Sequence, residues 1–196
     1  MLTTRKELFM LEHYLVDQCS PTLAGLKTGS LFTIHGKKPE CVKHEIRRIN
    51  HLLYGKGLLL LPLKTTSGYT LLYLYRPCFL QKDLRDSKRA SLLSDFGYSS
   101  CQPSKCLVQL IRRIREEETF PHEIGLFLGY PPEDVRGFIE NPHCKSRCRS
   151  CNGGCWKVYH DPEKAQALFD KFDQCTRNYR RRLSLGESLE QLAVAS

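Results

Sequence analysis

The sequence predicts an α+β fold, a small and mostly antiparallel sheet of about four strands packed with several helices, in one domain over residues 1–196. Two β-rich runs, 58–65 and 69–76, flank Ser67 and Gly68, which is a hairpin signal. Longer stretches repeat apolar residues at helical spacing. Strands and helices do not alternate regularly, which argues against a parallel βαβ sheet.

The elements follow in order. Thr4 with Glu7 reads as a capping box that opens a first helix carrying Leu8, Leu11 and Leu15. Ser20 and Pro21 are expected to interrupt it, and a glycine-rich turn then leads into a strand over 30–35. A second helix is expected from Pro39 to about Tyr54, with Val42, Ile46, Ile49 and Leu53 on its buried stripe and Lys43, Arg47 and Arg48 in water. Pro62 marks the first hairpin strand as an edge strand or a bulged one. Short helices are expected over 80–85 and 88–96, and a longer one over 104–117 buries Leu107, Leu110, Ile111 and Ile114. Two short helices, 122–128 and 132–140, precede a cysteine-rich loop at 143–155 and a strand over 156–160. Asp161 and Pro162 start a long helix as cap and first residue, and a last short helix over 187–193 is expected to fray.

Composition is that of an ordinary globular chain, with 41% hydrophobic and 26% charged residues. The start of the chain lacks a secretory pattern, and the longest apolar run, 58–63, is far too short to span a bilayer. A cytoplasmic protein without a membrane partner is therefore expected. The net charge of +9 would favour acidic partners or nucleic acid, but the basic residues are scattered. Their tight groups are Arg47 and Arg48; Arg112, Arg113 and Arg115; and Arg180, Arg181 and Arg182. Of the two, an acidic protein partner fits better and nucleic acid is disfavoured.

The segment 120–139 has helix-turn-helix spacing, which raises the alternative of a DNA-binding regulator. Its second helix would offer Pro132, Glu133 and Asp134 where base-reading residues belong, and those carboxylates repel phosphate. A packing role for the pair is favoured.

Ten cysteines are many for 196 residues, and in a reducing compartment they suggest thiols or metal ligands. Cys144, Cys148, Cys151 and Cys155 crowd one loop, with Lys145, Arg147 and Arg149 to stabilise thiolates. A structural zinc is the favoured metal and an iron–sulfur cluster comes behind it. Free or redox-active thiols remain open, because zinc sites usually pair their cysteines across a longer loop.

No nucleophile triad, phosphate loop, dinucleotide fingerprint or zinc-protease motif is present, so no reaction is assigned. A small-molecule- or metal-binding protein is the leading reading, with a regulator or a protein-interaction module as alternatives. Its ligand-binding candidates are Lys27 between Gly25 and Gly29, Tyr75, His122, Glu123, Trp156 and Lys157. Gly25 and Gly29 would let the backbone approach an anion, with Lys27 as countercharge. His122 and Glu123 could form an acid/base pair, though a helix-capping role is favoured.

Several stretches carry a family likeness: Cys19-Ser-Pro-Thr-Leu-Ala-Gly-Leu-Lys27 with Ser30-Leu31-Phe32; Leu72-Tyr-Leu-Tyr-Arg76; the long Phe120-Pro-His-Glu-Ile-Gly-Leu-Phe-Leu-Gly-Tyr-Pro-Pro-Glu-Asp-Val135; Gly154-Cys-Trp-Lys-Val-Tyr159; and 169–175. In these the chain resembles the bacterial family called domain of unknown function 3793. The resemblance implies a single-domain protein of anaerobic Gram-positive bacteria and supplies no activity. The crowded cysteines look like a departure from the family's usual loop, which makes any metal there a local addition.

Overall fold

The computed structural model describes residues 3–141, 148–151 and 154–195, with side chains over 11–141 and 157–195. Its centre is a three-stranded antiparallel sheet of order β1-β3-β2, from β1 (Gly29–His35), β2 (Leu59–Thr65) and β3 (Tyr69–Tyr75). Alternation along β3 sends side chains to both faces, and both are buried. Leu72 and Leu74 join Phe32, Ile34 and Leu60 on one face, while Leu71, Tyr73 and Tyr75 join Leu63 on the other.

Helices cover each face. On the first lie α1 (Thr3–Leu23), α2 (Pro39–Leu53), the C-terminal half of α8 (Pro162–Ser184) and α9 (Leu189–Leu192). The second holds α3 (Pro77–Leu84), α4 (Ser87–Asp95), α5 (Pro103–Glu116), α6 (Ile124–Phe127) and α7 (Pro132–Glu140). Each fully buried leucine of these layers contributes about 1.5–3 kcal/mol relative to exposure. The first half of α8 makes a smaller cluster, where Ala165, Phe169 and Phe172 pack with Val158 and Tyr130.

The α+β class is thus observed, with one strand fewer in the sheet than expected. The expected fourth strand lies apart as β5 (Gly154–Lys157) and pairs with β4 (Cys148–Cys151), inside the segment expected to be a loop. β4 and β5 are near neighbours in sequence, so the partner strand came from the adjacent segment instead of the central sheet.

Pro21 does not end α1. It removes the amide that would bond the Asp17 carbonyl, but so close to the helix end that only one bond is lost. Ser20 Oγ donates to the Val16 carbonyl at 2.5 Å, Leu26 N to the Pro21 carbonyl at 2.8 Å, and Gly25 (φ +73°) closes the helix in the left-handed region. The Thr4–Glu7 capping box falls on side chains outside the described set. The last helix is held, not frayed: Ser188 and Gln191 form a reciprocal capping box, Leu189 and Leu192 are buried, and Val194 N donates to the Leu23 carbonyl at 3.0 Å.

β2 is both an edge strand and a bulged one, with its register shifting between Pro62 and Lys64. Its outer edge is met by side chains. Leu60 N donates to Asn50 Oδ1 (2.6 Å), and Asn50 Nδ2 donates to the Leu60 carbonyl (2.9 Å). Arg115 Nε donates to the Leu63 carbonyl at 2.9 Å.

Candidate functional site

The turn after α1 delivers Lys27 to a cleft of about 160 Å³ between α1 and α8. Asp17, Gln18 and Pro21 form one wall, and Phe172, Asp173, Thr176, Arg177 and Arg180 the facing one, with Ser30 beside Lys27. Arg180 Nε pairs with Asp17 Oδ1 at 2.5 Å across the cleft. Lys27 Nζ lies 4.9 Å from the centre of the Tyr130 ring, a cation–π contact, and makes no ion pair among the described residues. Arg177 likewise has no partner among them. Gln18 Oε1 is shut off from solvent and accepts no hydrogen bond. Ser30 Oγ and Thr22 Oγ1 lie 2.9 Å apart, and burial holds the Cys19 thiol well above the ordinary thiol range. The cleft therefore has two cations without a carboxylate partner among the described residues and an apolar wall at Phe172, which is a set suited to a small anion.

Of the two glycines flanking Lys27, Gly29 has a packing reason and Gly25 a backbone one, its φ of +73°. A side chain at Gly29 would run into the Tyr73 ring, and Gly25 faces the Arg76 guanidinium, with a Cβ there 3.8 Å from Arg76 Cζ. Neither opens the backbone to a ligand.

The other expected ligand residues lie elsewhere. Tyr75 stacks on Tyr73 with ring centres 4.9 Å apart in the second core layer, and burial raises its pKa. Glu123 occupies the N-cap position of α6 but makes no capping bond, which corrects that expectation. Its carboxylate, 1% exposed, accepts from Tyr98 Oη at 3.0 Å and lies 3.1 Å from Arg113 Nε. That nitrogen is too poorly aligned for a hydrogen bond, so the Arg113 contact is electrostatic. Burial first, then the Glu123 charge, raise the Tyr98 pKa. His122 and Lys157 come together on Phe138, His122 edge-on with ring centres 4.9 Å apart and Lys157 Nζ 5.6 Å from the ring centre. Lys27 lines the α1–α8 cleft and His122 does not. The Trp156 side chain and the thiols of Cys144, Cys148, Cys151 and Cys155 lie outside the described residues. Among the described residues no His, Cys, Asp and Glu group has the arrangement of a metal site.

A wider depression of about 530 Å³ lies over Gly97, Ser104, Lys105, Val108, Gln109 and Arg112. Its lining is mostly exposed, and Gln109 Nε2 is already donating to the Gly97 carbonyl at 2.9 Å. It offers less to a small molecule than the α1–α8 cleft.

The helix pair at 120–140 is bound into the core. Ile124, Leu126 and Phe127 are buried, and α6 is a single turn. Asp134 Oδ1 accepts from Tyr159 N and His160 N, both at 2.8 Å, and Glu133 Oε1 accepts from Lys88 Nζ at 2.6 Å. Both carboxylates of the first turn of α7 are thus engaged, Asp134 in the interior and Glu133 at the surface. The basic groups are spent similarly. Arg113 donates to the Phe96 carbonyl (2.7 Å), Arg48 pairs with Glu12 and Glu45, and Arg182 pairs with Glu187. Arg48 and Arg113, expected in water or off the buried stripe, are half-buried because their long stems cover apolar surface while the guanidinium finds a partner.

Sequence reasoning missed Arg76. It is fully buried, donating to the carbonyls of Thr22, Leu23 and Val194 at 2.8 Å each and Lys56 at 3.4 Å, and burial lowers its pKa. The signal was an arginine directly after a strand of apolar and aromatic residues. Gln18 and Arg177 were missed because helical polar residues look solvent-facing until the neighbouring helix is placed.

The fold and cleft define a helix-covered antiparallel sheet protein with a small polar cleft at its side. The chain belongs to the family described as protein of unknown function DUF3793, whose model matches residues 15–193. No curated protein and no solved structure matches it. No helix among the described residues is long and apolar enough to cross a membrane.

Proposed function

We propose that the protein binds a small organic anion in the cleft between α1 and α8. The observation that carries this reading is the pair of cations, Lys27 and Arg177, which share the cleft and have no carboxylate partner among the described residues. Unpaired cations beside an apolar wall in a partly enclosed space lower the cost of desolvating an anion. A volume of about 160 Å³ is below that of drug-sized sites, so the ligand is small. Calorimetric titration of the full chain with small carboxylates and inorganic phosphate tests this. Binding that falls at least tenfold in both Lys27→Met and Arg177→Met supports it, and no heat from any anion at millimolar concentration removes it.

A DNA-reading role is less well supported, since the acidic start of α7 is engaged by Tyr159, His160 and Lys88. Metal binding by Cys144, Cys148, Cys151 and Cys155 is a separate proposal from the sequence alone. Elemental analysis and a visible spectrum of anaerobically purified protein distinguish zinc, an iron–sulfur cluster and free thiols.

A further inference from the structure

We infer that the outer edge of β1 is a docking strand for an extended acidic segment of a protein partner. Arg76 N donates to the Thr28 carbonyl at 2.9 Å and Gly36 N to the Gly68 carbonyl at 3.2 Å, so both pairs continue the register of β1 with β3. In an antiparallel ladder, residues that exchange bonds alternate with residues that do not. Ser30, Phe32 and Ile34 therefore bond to β3, and Leu31, Thr33 and His35 turn their N–H and C=O groups outward. None of those groups bonds to another described residue. Leu31 and Thr33 are half-buried and His35 is exposed, whereas Gly29 is buried, so the open run is 31–35. It carries no proline, lysine or carboxylate, the devices that blunt an edge strand, and no described side chain caps it as Asn50 and Arg115 cap β2.

Only an extended peptide offers N–H and C=O groups in alternation at the spacing of this edge, and charge selects which peptide. Residues 18–39 hold Lys27, Lys37 and Lys38 and no Asp or Glu. Lys27 stands before the open run and the exposed Lys38 after it, on a chain of net charge +9. A strand with a carboxylate at each end meets a cation at each end. Its main chain fills the outward groups, and its alternate side chains lie beside Leu31 and Thr33. A second copy fits less well. Two β1 strands paired about a two-fold axis at Thr33 would set Lys38 of one copy opposite Thr28 of the other, one residue from Lys27, and like charges so placed repel. The edge serves this role independently of the anion cleft, although Lys27 borders both.

The test is amide hydrogen exchange of the full chain, read by NMR, with an acetylated seven-residue peptide of alternating valine and threonine between two terminal glutamates. At millimolar peptide the Leu31, Thr33 and His35 amides are expected to exchange at least tenfold more slowly. Lysine in place of both glutamates is expected to weaken binding at least tenfold at low salt. N-methylation of the alternate peptide amides that face β1 is expected to abolish it. Thr33→Pro removes one outward N–H and leaves the ladder to β3 intact, so it should bind the peptide at least tenfold more weakly, and its urea midpoint shows whether it is folded. Unchanged exchange with the glutamate peptide overturns the inference, as does equal binding of the lysine-ended or the N-methylated peptide. Slowing at the same amides in the protein alone, with a dimer in sedimentation, assigns the edge to a second copy and overturns it too. Each of these outcomes leaves the cleft standing, since titration with small anions reads that site.

Discussion

Removing the Arg76 guanidinium should release the C-terminal segment from the end of α1. In Arg76→Met, three hydrogen bonds of 2.8 Å to the Thr22, Leu23 and Val194 carbonyls disappear. At roughly 1 kcal/mol net for each, the loss is about 3 kcal/mol. One of the carbonyls, Thr22, retains a second donor in Gly25 N at 3.2 Å, which keeps the figure from rising further. Relief from burying a cation works in the same direction. Urea unfolding is the assay, and with a slope of about 1–3 kcal/mol/M the midpoint should fall by at least 1 M. Arg76→Lys keeps the charge but cannot reach both segments from one nitrogen, so it should lie between the two. Amide hydrogen exchange gives the local readout, since Val194 N should lose protection with the guanidinium. An Arg76→Met variant within 0.5 kcal/mol of the parent, or one whose Val194 amide stays protected, would refute the reasoning.

Asp134→Ala should cost about 2–4 kcal/mol, because it strips the Tyr159 and His160 amides of a charged acceptor at 2.8 Å each; thermal or urea melts measure it. Burial pushes the Cys175 thiol up to about 11, so at pH 8 it should resist alkylation while the exposed Cys41, Cys78 and Cys101 react; time-resolved mass spectrometry of the native protein reads the order.

The helices were legible where their own residues dictate them. Val42, Ile46, Ile49 and Leu53 lie one turn apart and all are buried, and Pro132 opens α7 as read. Pro62 announced both the edge and the bulge of β2. The misreadings have tertiary causes. Whether Pro21 breaks a helix depends on what else holds its last turn, and here Ser20, Leu26 and the Arg76 cation do so. The strand count depended on whether β5 would find the sheet or a neighbour of its own. For the candidate site, Lys27 lies in the α1–α8 cleft, but its flanking glycines serve other ends, Gly29 making room for the Tyr73 ring and Gly25 taking a left-handed backbone. Gln18 and Arg177 acquire their meaning from α8 lying against α1, more than 150 residues away in the chain.

The side chains along β2 also govern how copies of this protein meet. An open strand normally offers its peptide groups to any extended segment that drifts past, which is how sheets grow into fibres. Here Asn50 imitates the peptide unit of a neighbouring strand at Leu60, Pro62 has no hydrogen to give, and Arg115 occupies the oxygen of Leu63. That flank is closed to recruitment, so strand addition to the central sheet would have to begin at β1.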